Sequence, residues 1–124
     1  MVVDDCSVSR AVLEQGLERL GLWNIDSTAD ANTAFRKITA APVGVVISDY
    51  RMPSASGLDL LAGLRNHPAT RAIPFIMCSG AMTSTLVDKG NALGMDAYLM
   101  KPYSHRQLKT ALVKAVGRLA TYTH

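Results

Sequence analysis

The sequence predicts an α/β fold, a parallel sheet with helices on both faces, and three observations predict it. Five short apolar segments alternate along the chain with five stretches of helical periodicity. Two of those segments, residues 43–48 and 73–78, are apolar almost throughout, as suits strands covered on both sides. Glycine or proline marks the element ends, at Gly21, Pro42, Pro53, Pro68, Gly80, Gly94 and Pro102, and no repeat or low-complexity linker interrupts the alternation.

In order, residues 1–3 read as the end of a first strand, short against a typical strand of about five or six residues. Asp4-Asp5-Cys6-Ser7 break it, with Ser7 expected to cap a helix over residues 8–20. There Val8, Ala11, Val12, Leu13, Leu17 and Leu20 follow helical spacing, Arg10, Glu14, Glu18 and Arg19 lie between them, and Gly21 stops the helix. Residues 22–28 read as a second strand, with Trp23 and Ile25 alternating with Asn24 and Asp26. Asp30 caps a helix over 31–41 that places Ala34, Phe35 and Ile38 on one face before Pro42. The third strand is 43–48. Ser56-Gly57 open a helix over 58–66 with Leu60, Leu61 and Leu64 inward, and His67-Pro68 end it. The fourth strand is 73–78, broken by Ser79-Gly80. A helix over 82–93 is weak in propensity, because Thr83, Ser84, Thr85, Gly90 and Asn91 are poor helix formers. The fifth strand is 96–100, followed by Lys101-Pro102 and a helix over 104–120 carrying Leu108, Leu112, Val113, Val116 and Leu119.

At 124 residues the chain is expected to be one domain, able to bury a core without metal or disulfide staples. Its 48% hydrophobic and 19% charged residues suit a soluble globular protein. No apolar run approaches the roughly 18 residues needed to span a bilayer, and no leader-like segment precedes Val2, so a cytoplasmic location with no membrane partner is expected. Cys6 and Cys78 offer neither metal spacing nor a secreted framework and are read as reduced thiols. The net charge of +3 comes from bases dispersed between Arg10 and Arg118, which argues against direct nucleic-acid binding and for a partner-facing protein surface.

Function is concentrated at strand ends. Asp4-Asp5 follow the first strand, Asp49 the third, Ser79 the fourth and Lys101 the fifth, and in open parallel sheets ligands bind beyond those carboxyl ends. Three carboxylates together repel, and one lysine does not balance them. A hard divalent ion such as Mg²⁺ would, since it prefers oxygen ligands. An aspartate beside such an ion can attack phosphorus and form an aspartyl phosphate, with Lys101 and the Ser79 hydroxyl sharing the phosphoryl oxygens.

Asp4-Asp5, Asp49 with Met52-Pro53, Ser79, and Lys101-Pro102, in this order at these strand ends, resemble a response-regulator receiver domain of two-component signalling across essentially all of residues 1–124. The resemblance implies a flavodoxin-like five-stranded parallel sheet, order 2-1-3-4-5, flanked by five helices. It implies Asp49 as phosphoacceptor, taking the group from a sensor histidine kinase or phosphotransfer protein. It also implies Mg²⁺, or Mn²⁺ in its place, held by Asp5, Asp49 and the Arg51 backbone carbonyl, with Asp4 acting through a water. Lys101 would pair with the phosphoryl group, Ser79 would swing toward it, and Tyr98 would rotate inward. The face made by the fourth helix, fifth strand and fifth helix would then change its affinity for a downstream protein. The Lys101-Pro102 bond is expected to be cis. The 20–25 stretch, and no output domain after Ala120, lean toward the stand-alone chemotaxis branch.

Arg51 and Ala81, beside the phosphoryl position, are expected to tune the lifetime of the phosphorylated state. Arg106, Lys109, Lys114 and Arg118 on the last helix are expected to face an acidic docking surface. Taken singly, each motif has a plainer reading: Asp4-Asp5 as a capped turn, Lys101 as a surface lysine, Ser79-Gly80 as a turn, Tyr98 as half-buried core. Other readings remain. One is a receiver excised from a larger regulator or hybrid kinase, and another is a phosphorylation-independent scaffold. A haloacid-dehalogenase-type phosphatase wants a second acid two residues after its nucleophile, where this chain has Arg51. No turnover of a separate substrate is expected beyond the protein's own phosphorylation and dephosphorylation.

Overall fold

Helical crossovers between successive apolar segments return the chain to the same end of the sheet, so every strand pairs parallel to its neighbours. The computed structural model describes residues 1–122, with side-chain environments through residue 117. The elements are β1 (Val2–Val3), α1 (Ser7–Arg19), β2 (Ser27–Thr28), α2 (Ala31–Ala40), β3 (Val46–Asp49), α3 (Gly57–Arg65), β4 (Phe75–Ser79), α4 (Ser84–Leu93), β5 (Ala97–Met100) and α5 (His105–Tyr122). The five strands form one sheet in the order β2-β1-β3-β4-β5, all parallel, as the resemblance implied.

Strand alternation sorts the core into two layers. Val3, Val46, Phe75 and Met77 face α2 and α3, meeting Ala34, Ile38, Leu60, Leu61 and Leu64. Val2, Ile47, Ile76, Cys78 and Leu99 face α1 and α5, meeting Leu13, Leu17, Leu108 and Leu112. Both sheet faces are therefore covered, which is why residues 43–48 and 73–78 read as apolar almost throughout.

Several boundaries differ from the sequence reading. The expected second strand over residues 22–28 shrinks to Ser27–Thr28, because its neighbour β1 offers only Val2 and Val3 for pairing. Pairing starts where Val2 N–H reaches the Asp26 carbonyl at 2.8 Å, and Trp23, expected on a strand, is 76% exposed. Ser7 lies inside α1 and does not cap it; Cys6 is the N-cap residue, with no side-chain capping bond. The Cys6 N–H instead donates to Asp4 Oδ1 at 2.9 Å. β3 and β4 each begin later than expected and take in Asp49 and Ser79 as their last residues. Pro74 has no N–H to give a ladder, so β4 starts after it. α4 starts at Ser84, with the Thr83 hydroxyl accepting from Leu86 N–H at 3.2 Å.

Asp30 caps α2, and Ser56 with Asp59 forms a reciprocal capping box on α3. Gly94 closes α4 at φ +90°, where glycine carries no steric penalty. On α5, Leu108 and Leu112 are buried, but Val113 and Val116, grouped with them by spacing, are exposed. The expected roles of Arg118 and Leu119 fall outside the described side chains.

Candidate functional site

Register decides which residues meet at the carboxyl end of the sheet. Val3 pairs with Ser48, Asp49 with Cys78, and Ser79 with Met100, so Asp4, Asp49, Ser79 and Lys101 emerge at adjacent strand ends. Asp4 is buried at 4% exposure, and its Oδ2 accepts from Lys101 Nζ at 2.9 Å. The same ammonium lies 3.3 Å from Asp49 Oδ2, while Asp49 Oδ1 accepts from the Tyr50 N–H at 2.9 Å. Asp5 stands exposed at the rim. One carboxylate oxygen of each of Asp4, Asp5 and Asp49 lies within 4.8 Å of the other two. Lys101 is delivered by β5, and its following peptide bond to Pro102 is cis.

The electrostatics follow from this crowding. Burial pushes the Asp49 carboxyl above the ordinary carboxylate range; Lys101 pulls it back and the Asp4 charge adds to the rise. Burial alone would push the Lys101 ammonium down, but hydrogen bonds and charge from Asp4 and Asp49 outweigh it and hold it above its usual value. Behind the acids, burial drives the Cys78 thiol to about 12, so it packs as a small apolar group. Cys6 and Cys78 are both free thiols.

Three carboxylates against one ammonium leave two negative charges in the cluster, the charge of one divalent cation. The donors are all oxygens within a few ångströms, which suits Mg²⁺ or Mn²⁺ rather than a softer metal. The residues present therefore fit such an ion.

Beside the acids, Asp49, Arg51, Ser79, Gly80, Ala81 and Lys101 line an open cleft of about 270 Å³. The Ser79 hydroxyl is turned into its own loop, accepting from Ala81 N–H at 3.1 Å and donating to the Ala81 carbonyl at 3.2 Å. Tyr98 is not part of the cluster; it lies on the outward side of β5, 47% exposed, next to a groove with Met100, Arg106 and Lys114. Lys109, expected with those two bases, instead borders an apolar groove with Leu20, Leu112 and Val113, because it sits on another side of α5. A second cleft, of about 360 Å³, runs from Asp49 and Lys101 between Val8 and Val12 of α1 and Pro102 and Tyr103. Burial raises the Tyr103 hydroxyl to about 12, so it stays protonated.

Two site contacts escaped sequence reasoning. Arg10 Nη1 donates to the Asp4 backbone carbonyl at 2.7 Å, and the Cys6 amide holds the Asp4 carboxylate. The only sequence signal for Arg10 was its place one turn into a helix that starts beside two acids.

Among the described residues, no helix is long and apolar enough to cross a membrane. Residues 1–113 match the response regulator receiver domain family. A protein of Rhizobium etli named as a probable chemotaxis protein CheY is 32% identical over 119 residues, covering 96% of this chain and 92% of that one. The crystal structure of the chemotaxis protein CheY4 of Vibrio cholerae superposes with a TM-score of 0.85 at 25% identity, covering 92% of this chain and 94% of that one. The receiver domain of the sensor histidine kinase PA1611 of Pseudomonas aeruginosa, solved with a magnesium ion coordinated in its active-site cleft, superposes with a TM-score of 0.84 at 25% identity over 94% of each chain. With five parallel strands ordered 2-1-3-4-5 and an acid cluster at their carboxyl ends, the chain belongs to the response regulator receiver domain family of two-component signalling.

Proposed function

We propose that the chain, residues 1–124, is one cytoplasmic receiver domain in which Asp49 accepts a phosphoryl group from a phosphohistidine on a sensor kinase or phosphotransfer protein. The observation that carries this is the Asp49 carboxylate, which ends a buried strand, opens into a cleft, and has Lys101 Nζ 3.3 Å away with Asp4 and Asp5 beside it. An Asp49 oxygen forms the new bond to phosphorus as the P–N bond breaks, and its electron pair leaves with the imidazole, which takes up a proton. Asp5, Asp49 and the Arg51 carbonyl would hold Mg²⁺, with Asp4 acting through a water. When bound, that ion supplies positive charge to the phosphoryl oxygens. Lys101 adds its ammonium to the same oxygens. The apolar cleft of Val8, Val12, Pro102 and Tyr103, open onto Asp49, is the expected seat of the donor's surface beside its phosphohistidine.

Ser79 would leave its bonds to Ala81 to reach the new phosphoryl group, and Tyr98 would turn inward, altering the face of α4, β5 and α5. That face carries Tyr98 and Met100 beside Arg106 and Lys114, which suits an acidic protein target. A stand-alone, chemotaxis-like regulator is the favoured setting. A receiver excised from a hybrid kinase is the second reading, since receiver domains of histidine kinases are among the structures this chain resembles.

The test is intact mass after incubation with Mg²⁺ and acetyl phosphate, with Asp49→Ala alongside. One phosphoryl adduct is expected, dependent on Mg²⁺ and lost in the variant. No adduct in a folded wild type would leave a phosphorylation-independent scaffold.

A further inference from the structure

Asp5 is the exposed member of the acidic cluster, and among the described residues no hydrogen bond holds its carboxylate. Its direction is therefore set by the backbone that presents it. Asp4 is pinned at its N–H, which donates to the Thr28 carbonyl at 3.1 Å, and at its carboxylate, which accepts from Cys6 N–H and Lys101 Nζ. The Cys6 contact turns the chain around the Asp4–Asp5 peptide from the carboxylate side, but none of the three touches the Asp4 carbonyl oxygen. One contact does: Arg10 Nη1 donates to that oxygen at 2.7 Å. A carbonyl and the following N–H and Cα move as one rigid unit, so holding that oxygen sets where the Asp5 Cα emerges.

Arg10 can do this because of where α1 begins. Its own N–H closes the first helical turn onto the Cys6 carbonyl at 3.0 Å. Side chains on a helix lean toward its N-terminus, so the guanidinium points back at the strand end. The bond is charge-assisted and partly shielded from water.

We propose that Arg10 is a positioning residue for the divalent-cation site, aiming Asp5 by clamping the Asp4 carbonyl. This rests on the phosphorylation reading above. Two effects of Arg10 on cation affinity have opposite signs, which makes the proposal testable. As a nearby positive charge it repels a divalent ion, so its removal would tighten binding. As a clamp it orders a ligand, so its removal loosens binding.

The experiment is a calorimetric titration of Mg²⁺ into metal-free wild type, Arg10→Met, Arg10→Gln and Arg10→Lys, with melting temperatures of the metal-free proteins as the check on folding. Both neutral variants should bind Mg²⁺ about tenfold more weakly, the lower end of the range for residues that orient metal ligands. Arg10→Lys, which keeps a charged donor, should recover most of the loss. With acetyl phosphate as donor, the Mg²⁺ concentration for half-maximal phosphorylation should rise by the same factor, while the rate at saturating Mg²⁺ stays near that of wild type. Equal or tighter Mg²⁺ binding by folded neutral variants would overturn the proposal, as would a rate defect that persists at saturating Mg²⁺. If wild type takes up no Mg²⁺, the phosphorylation reading itself falls and this proposal with it.

Discussion

Gly57 is the point where packing and the candidate site are tied most directly. It opens α3, and its N–H donates to the Tyr50 carbonyl at 2.9 Å, which draws the helix start against the end of β3. A methyl group there would lie 2.5 Å from the Asp49 backbone oxygen and 2.6 Å from Met77 Sδ. Met77 is fully buried, and the Asp49 oxygen is main chain that cannot swing aside as a side-chain tip can, so β3 and α3 must separate. Overpacking of this kind costs about 1–3 kcal/mol. The better helix propensity of alanine returns at most about 1 kcal/mol, and less at a helix's first position. A net loss of about 1–2 kcal/mol follows, which for a domain of this size lowers the melting temperature by roughly 3–10 °C. The assay is thermal unfolding by circular dichroism of Gly57→Ala, with Gly44→Ala as control, since a methyl group at Gly44 meets nothing within 4 Å. Because the displaced oxygen belongs to Asp49, phosphorylation by acetyl phosphate should slow as well. A Gly57→Ala melting temperature no lower than that of Gly44→Ala would refute the reasoning.

Four further outcomes are expected. The raised Asp49 carboxyl costs stability wherever it is ionised, so metal-free Asp49→Asn should melt higher than wild type at neutral pH. That advantage should fade as pH falls from the raised folded value through the ordinary carboxylate value near ~4, and vanish below it, where Asp49 is protonated folded or unfolded; a pH-independent difference would contradict the cause given. Mg²⁺ at ten times its dissociation constant should stabilise wild type by about 1.4 kcal/mol in thermal melts, and Asp5→Ala should abolish the gain. Arg51→Asn and Ala81→Glu both alter the cleft beside Asp49, and each should change the dephosphorylation rate measured by loss of the intact-mass adduct. On the output face, Lys114→Glu should slow association with an acidic target in stopped-flow measurements, while Lys109→Glu, on a different side of α5, should not.

The acid cluster was legible because its members are adjacent to strand ends, and the end of a parallel strand has only one place to be. Asp49 and Lys101 are flagged by the apolar runs that carry them and by Pro53 and Pro102 behind them. Strand β2 is shorter than its sequence pattern for a matching reason: alternation at Trp23 and Ile25 is a local signal, but a strand exists only where a neighbour supplies partners, and β1 supplies two residues. Val113 and Val116 illustrate the same gap on α5, where spacing names a stripe but not the width of it that the sheet covers.

By itself the sequence determined the alternation of elements, the two-sided burial of β3 and β4, and the residue types that meet beyond their ends. These depend on periodicity, proline and glycine, which act within a few residues. Tertiary structure alone decided that one Lys101 ammonium serves both Asp4 and Asp49, that Ser79 rests on Ala81, that Tyr98 lies outward, and that Arg10 holds the Asp4 carbonyl. The Ser79–Ala81 contact closes within one loop; each of the others is a side-chain direction set by contacts between elements distant in the chain, or by the turn of one helix against a strand end. Distances of that kind are set by packing and register, which no local pattern encodes.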